Sequence, residues 1–253
     1  MQAEPQTKQA NIVVPDTGSN LSKKAQVAGM FNDIARKYDF LNHFLSLGID
    51  KSWRKKAIAE VAKVKPARIL DVATGTGDLA IAAAKTGPKE ITGVDIADQM
   101  LEIGRKKIAE QGLSGLIGLQ TADCEALPFG REAFDVVMCA YGVRNFENLE
   151  TGLQEMYRVL SDGGKLVILE FSHPQKFPIR QLYQFYFKYI LPTLGKLVSK
   201  NDNAYTYLPA SVKAFPEGHV FCEKLMKCGF TNAKARPLTF GITTLYTAVK
   251  QKS

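Results

Sequence analysis

At 253 residues, 45% of them hydrophobic and 23% charged, the chain can bury one substantial core, which excludes a disordered or low-complexity protein. Thirty-three basic against 25 acidic side chains give a formal charge of +8. That balance favours an anionic partner (nucleic acid, an anionic membrane face, a phosphorylated small molecule) or serves solubility alone. Four cysteines without a C-x-x-C pair and three histidines give no support to a disulfide framework or a structural zinc, so no metal is expected.

The first twenty residues are polar, with Pro5, Pro15 and Gly18, and read as a flexible arm ahead of a single domain over 21–253. They lack a basic start and an apolar run, and no stretch approaches bilayer-spanning length, so a cytoplasmic protein is expected. Val27, Phe31, Ile34, Tyr38 and Leu41 recur at three- and four-residue spacing, which predicts N-terminal helices over 21–64. Gly48 interrupts them, and a second helix is expected from 50 to 61 with Asp50 as its N-cap.

From 67 the pattern changes. Short apolar runs at 67–73, 90–96, 116–121, 134–139 and 165–171 alternate with helical patterns at 78–85, 98–111 and 149–160. That alternation marks parallel βαβ units and a doubly wound α/β domain. The aromatic segment 177–198 reads as a helix that Pro192 kinks or ends, within a cover insertion at about 174–215. A helix at 219–228 and two strands, 230–237 and 239–249, complete the chain.

The chemistry concentrates in the segment from Asp71 to Ala80. Gly75 and Gly77 follow a strand and precede a helix, so the backbone turns tightly and a ligand can approach it. Asp95, 18 residues beyond Gly77 at the end of the next strand, can accept both hydroxyls of an adenosine ribose. The pattern G-x-G-x-x-A also suits a nicotinamide enzyme, and Asp71 discriminates. A carboxylate there would repel a pyrophosphate, whereas S-adenosylmethionine has no phosphate and brings an ammonium and a sulfonium. Asp71, Asp78 and Asp95 together favour the cationic ligand; the alternative is an Asp71 bonded to loop amides. Asp123 is placed to accept from the exocyclic amine of adenine, with the Cys124 amide donating to a ring nitrogen. An Asp after a strand is equally a common turn residue.

Taken together, the blocks D-V-A-T-G-T-G-D, G-V-D, A-D-C-E-A-L-P-F and F-D-V-V resemble the class I S-adenosylmethionine-dependent methyltransferases. Two flanking blocks sharpen the resemblance: Y-D-F-L-N-H-F-L-S from Tyr38 to Ser46, running on to Trp53, and Y-G-V-R-N from Tyr141, followed by M-Y-R-V-L, Gly163-Gly164 and E-F-S. These are similar to the ubiquinone/menaquinone biosynthesis C-methyltransferases. Ser161-Asp162, Ala140 and Asp50 depart from that pattern, where Lys-Pro, Ser and His are usual. The resemblance implies a Rossmann-like seven-stranded sheet, mostly parallel with an antiparallel C-terminal strand. It implies S-adenosyl-L-methionine as cofactor, held by Asp71, Thr74, Gly75, Thr76, Gly77, Asp95, Ile96, Asp123, Cys124 and Ala140. It implies methylation of a prenylated quinol in menaquinone or ubiquinone biosynthesis.

An electron-rich ring carbon ortho to a phenol must attack the sulfonium methyl, so the enzyme has to favour phenolate. Arg144, with Asn145 beside it, is the candidate for that task; the alternative is that Arg144 pairs with Asp39 or another carboxylate to tie down the N-terminal helix. Tyr38, Asn42, His43 and Tyr141 are the candidates to bind the substrate, although Tyr38 at helical spacing also fits a core residue. Phe177, Leu182, Phe185, Tyr186, Tyr189 and Ile190 would line a passage for the isoprenoid tail, and Arg54, Lys55 and Lys56 would face an anionic membrane. A buried cover helix and a solvated basic patch serve as well. Peripheral contact with the inner membrane face and a homodimer are expectations of the same reading. Other readings are a methyltransferase of this fold with another acceptor, RNA included, a nicotinamide oxidoreductase, and a non-catalytic scaffold subunit. No module of stacking aromatics and arginines points to nucleic acid.

Overall fold

The computed structural model describes residues 13–46, 48–186, 189 and 202–252, and for 41–45 and 202–205 the backbone alone. Seven strands, β1 (Arg68–Val72), β2 (Glu90–Asp95), β3 (Ile117–Thr121), β4 (Phe134–Ala140), β5 (Leu160–Phe171), β6 (Thr231–Leu238) and β7 (Thr243–Val249), form one sheet. Their order is β3-β2-β1-β4-β5-β7-β6. The first five are parallel, and β7 runs antiparallel between β5 and β6. Helices are α1 (Lys23–Leu45), α2 (Ile49–Ala62), α3 (Asp78–Ala83), α4 (Asp98–Glu110), α5 (Leu149–Val159), α6 (Ile179–Phe185), α7 (Asp202–Ala214) and α8 (His219–Lys227).

The strands read as near-continuous apolar runs because helices cover both faces of the sheet. Along β4, Val136 and Met138 point to one core while Val137 and Cys139 point to the other, the alternation a strand imposes. One core packs against Trp53, Ala57 and Val61 of α2 and Leu79 and Ala83 of α3. The opposite core packs against Leu153 and Met156 of α5 and Phe221 and Leu225 of α8. Each fully buried aliphatic side chain contributes about 1.5–3 kcal/mol. Charged groups fix the register at the edges of this core. Asp135 accepts both the Ala67 and Arg68 amides at 2.8 Å, and Glu60 of α2 accepts Lys165 of β5 at 2.8 Å.

Several boundaries differ from the sequence reading. Asp50 is not the cap of α2: the helix begins at Ile49 behind Gly48, whose left-handed φ of 74° turns the chain into it. Asp50 sits in the first turn, buried, accepting from the Ser46 hydroxyl at 2.7 Å and from Arg54. Strand β5 starts at Leu160 rather than 165, because Leu160 pairs with Phe134 before the register shifts to Lys165–Val136. Strand β7 begins at Thr243, after a short 3-10 turn at Thr239–Gly241. The aromatic segment is helical over Ile179–Phe185, whereas Pro192 and Ile190 lie outside the described residues. Among the described residues no helix is long and apolar enough to cross a membrane.

Gly152 of α5 shows how tightly the face below β4 is packed. A Cβ there would stand 2.4 Å from Phe146 Cδ2 and 2.7 Å from Cε2, and Phe146 belongs to the core. Gly152→Ala should therefore destabilise the protein by about 1–3 kcal/mol despite its better helix propensity, measured as a lower urea midpoint at unchanged slope.

Candidate active site

Strand order reverses between β1 and β4, and crevices at such switch points open at the carboxyl ends of the strands. A cleft of about 660 Å³ lies there, lined by Ala73 and Gly75 after β1, Asp95 and Ile96 after β2, Ala122–Glu125 after β3, and Ala140–Gly142 after β4. Helix α1 roofs it with Lys24, Val27, Phe31 and Tyr38. A smaller recess of about 370 Å³ adjoins it, lined by Asp71, Thr74, Thr76, Asp78 and Arg54, and shares Tyr38, Ala73, Gly75, Ala140 and Tyr141 with the cleft. The backbone is contorted where the two meet: Ala73 and Tyr141 both have positive φ, 53° and 61°, a conformation non-glycine residues rarely hold. Gly142 is required beside them, since a Cβ would lie 2.5 Å from that of Ala73.

Of the ten expected cofactor residues, nine line one or both cavities. Asp95 receives the Gly75 amide at 2.8 Å and the Ala97 amide at 2.9 Å. The carboxylate thus shapes the glycine loop, and its remaining lone pairs face the cleft. Asp71 is 1% exposed. One of its oxygens accepts from the Thr74 hydroxyl at 2.7 Å; the other, Oδ1, has no hydrogen-bond partner among the described residues, the Ala80 amide lying nearby outside bonding geometry. Burial pushes its carboxyl up to about 7.

Gly77 is the tenth, and it lines neither cavity. With φ 78° it caps α3 and packs toward Ile108. Thr76 borders the recess, but its hydroxyl donates to Asp39 of α1 at 2.6 Å. Asp78 does not supply free negative charge to the loop as expected: it is engaged by Lys107 of α4 and by Arg54 of α2 at 3.2 Å. Arg54, expected at a membrane face, is largely buried and bonded to Asp50 and Asp78, while Lys55 and Lys56 remain exposed. At the far end of the cleft Asp123 accepts the Glu125 amide at 2.9 Å and pairs with Lys24 at 2.5 Å. The α1 lysine thereby sits beside the expected adenine contact.

At the end of β4, Arg144 is buried one layer behind the cleft wall. Its Nη1 donates to Glu170 Oε1 at 2.9 Å and to the Tyr141 carbonyl. Its guanidinium lies 5.5 Å from the centre of the Phe171 ring. The carboxylate that holds it belongs to β5, not to Asp39 or the N-terminal helix. Glu170 is 0% exposed and also takes the Phe171 amide at 2.9 Å; burial raises its carboxyl and the arginine opposes that rise. Two atoms stay without partners among the described residues: the donor Arg144 Nε and the acceptor Asn145 Oδ1, and Asn145 lines the cleft. Tyr141 stacks on Phe171 with centroids 4.5 Å apart. Tyr38 packs edge-on against Phe31 at 5.8 Å and borders both cavities, so it serves the site and the core at once. The side chains of Asn42 and His43 lie outside the described residues. Sequence reasoning missed Arg54, Lys24 and Glu170 as site residues. Glu170 stood within the E-F-S block of the resemblance, while Arg54 was hidden among lysines.

The cavities fit an adenosyl sulfonium. The glycine loop leaves room for a ligand against backbone, Asp95 offers acceptors for a ribose, and the unpartnered buried Asp71 oxygen complements an ammonium. This sheet order and loop define the class I S-adenosylmethionine-dependent methyltransferase fold. A SAM-dependent methyltransferase from Aquifex aeolicus superposes with a TM-score of 0.54 at 15% identity, over 76% of this chain and 89% of that one. The [4+2]-cyclase SpnF does so at 0.58 and 16%, over 92% and 98%, so architecture alone does not fix the reaction. Sequence does more: residues 19–250 match the model of the ubiE/COQ5 methyltransferase family, and the chain belongs to that family. It is 51% identical over 234 residues to the demethylmenaquinone methyltransferase of Bacteroides fragilis, covering 92% of this chain and 96% of that one. It is 46% identical to the ubiquinone/menaquinone biosynthesis C-methyltransferase UbiE of Geotalea daltonii, covering 90% and 97%. The chain is a methyltransferase, and S-adenosyl-L-methionine is its cofactor.

A carboxyl raised to about 7 is partly protonated in the ligand-free protein at neutral pH, whereas an ammonium prefers it ionised. Cofactor binding should release a proton, and affinity should rise as pH increases through about 7. Calorimetry in two buffers of different ionisation enthalpy measures the release, which Asp71→Asn should abolish. In the ligand-free fold the sign is a loss: the unfolded carboxyl ionises near 3.8, so Asp71 lowers stability as pH climbs from about 4 to about 7.

Proposed function

We propose that this methyltransferase alkylates a ring carbon of a prenylated quinol, converting demethylmenaquinol to menaquinol or acting on the corresponding ubiquinol precursor. The observation that carries the reading is the pair of unpartnered polar atoms at the end of β4, Arg144 Nε and Asn145 Oδ1, beside a cleft that also takes the cofactor. When bound, the cofactor supplies an electrophilic methyl group on a positive sulfur. The chain must make the ring carbon nucleophilic. Arg144, fixed by Glu170 and the Tyr141 carbonyl, places positive charge where a phenolate forms. Asn145 orients the ring hydroxyl, and Tyr38 with Tyr141 closes around the ring and excludes water. The relatives' names support the quinol assignment, and the aromatic character of the wall around Tyr38 and Tyr141 suits a flat ring.

The test supplies methyl-labelled cofactor with demethylated menaquinol or its ubiquinol-pathway counterpart, tails shortened, under reducing conditions. Labelled quinone from either acceptor supports the reading. Cofactor binding with neither acceptor methylated overturns it. Arg144→Lys, which keeps Glu170 paired with a cation, should lower kcat about 100- to 1,000-fold while leaving the cofactor Kd unchanged.

A tailed substrate also gives the outer face of α6 a use. Phe177 is 80% exposed, and Leu182, Phe185 and Tyr189 follow it into solvent beside the exposed Lys176 and Arg180. Such a face suits peripheral contact with an anionic membrane. Leu182→Ser with Phe185→Ser should reduce co-sedimentation with vesicles containing anionic lipid several-fold. If it instead abolishes self-association seen without vesicles, the face pairs two copies.

A further inference from the structure

The smaller recess holds buried groups of both signs. Asp71 presents an oxygen that no described residue satisfies. Arg54 is the one basic side chain among the described residues that line it. Its side chain is 11% exposed, and Asp50 and Asp78 grip its two terminal nitrogens. That grip fixes the guanidinium in place without exhausting its donors, since the planar fork carries further N–H groups. A ligand reaching it therefore meets a cation whose side-chain entropy is already lost. Around Arg54 the carboxylates Asp71 and Asp78 outnumber it, so the recess suits a ligand with net positive charge that also carries an anionic end.

We infer that the recess is a zwitterion pocket for the amino-acid end of the cofactor, Arg54 binding the α-carboxylate and Asp71 the α-ammonium. The inference rests on the cofactor reading and adds to it a carboxylate-binding residue from α2, outside the sequence blocks of the cofactor loop. The match is chemical: ammonium, sulfonium and carboxylate sum to one positive charge, and each end finds its opposite. The recess opens into the cleft through Gly75 and Ala140, so one ligand can occupy both.

The experiment is calorimetric titration of the full chain and its variants with three compounds. S-adenosylmethionine has both ends, decarboxylated S-adenosylmethionine has only the ammonium, and 5′-methylthioadenosine has neither. Arg54→Gln should weaken S-adenosylmethionine about 10- to 100-fold and leave the other two within twofold. Asp71→Asn should weaken both aminated ligands and spare methylthioadenosine. Arg54→Lys, which keeps a cation for Asp50 and Asp78, should bind S-adenosylmethionine with intermediate affinity, and it guards against a folding defect in the glutamine variant. If Arg54→Gln weakens all three equally, Arg54 merely braces α2 against Asp78 and the inference falls. If the unaltered chain binds S-adenosylmethionine no better than methylthioadenosine, the recess is not used and the inference falls while the cofactor reading stands. If the unaltered chain binds none of the three, the cofactor reading fails as well.

Discussion

Both cavities exist because one chain of alternating charges holds the helices over the carboxyl end of the sheet. Lys107 of α4 joins Asp39 of α1, at 2.7 Å, to Asp78 of α3; Arg54 of α2 joins Asp78 to Asp50. Each pair alone, partly exposed, would contribute about 0–1 kcal/mol. Linked through shared partners they define a geometry, because no member can move without uncovering another. The glycine loop lies inside this ring, with the Thr76 hydroxyl bonded to Asp39. Without it α1 and α2 would have little reason to cover the loop, and the crevice would be an open groove.

Much of this was legible in the sequence. The five parallel strands announced themselves because burial on both faces leaves no polar alternation to confuse them, and the glycine loop and Asp95 followed from strand-end positions. What was not legible depends on partners distant along the chain. Asp78 read as ligand-facing charge, yet Lys107 neutralises it from another helix. Arg54, beside Lys55 and Lys56, read as part of a solvated patch, and only the fold reveals that its side chain turns inward to Asp50 and Asp78. Helix α7 was not anticipated as an element, since Pro209 within it breaks the local helical pattern. Periodicity reports which face of an element is buried; it carries no record of which charge meets which.

The backbone is contorted where the ligand cavities join. Ala73 and Tyr141 hold positive φ, each at a cost of about 1–3 kcal/mol. They follow the two central strands β1 and β4, whose pairing and burial over-determine their ends. The dense sheet interior thus sustains a shape at its rim that a looser fold would relax. Asp71 belongs to the same pattern, a carboxylate kept out of water with one oxygen unsatisfied. A site of this kind is less stable empty than it would be if built only for stability.

The buried pairing of Arg144 with Glu170 constrains how such a protein can change over generations. A single substitution that removes the guanidinium strands a fully enclosed carboxylate, a loss of about 3–5 kcal/mol against a total stability of about 5–15 kcal/mol. Replacing the carboxylate first strands the cation instead. Either one-step path crosses a poorly folding intermediate, so a descendant would inherit both residues or lose both together. The pair behaves as one heritable character written at two positions.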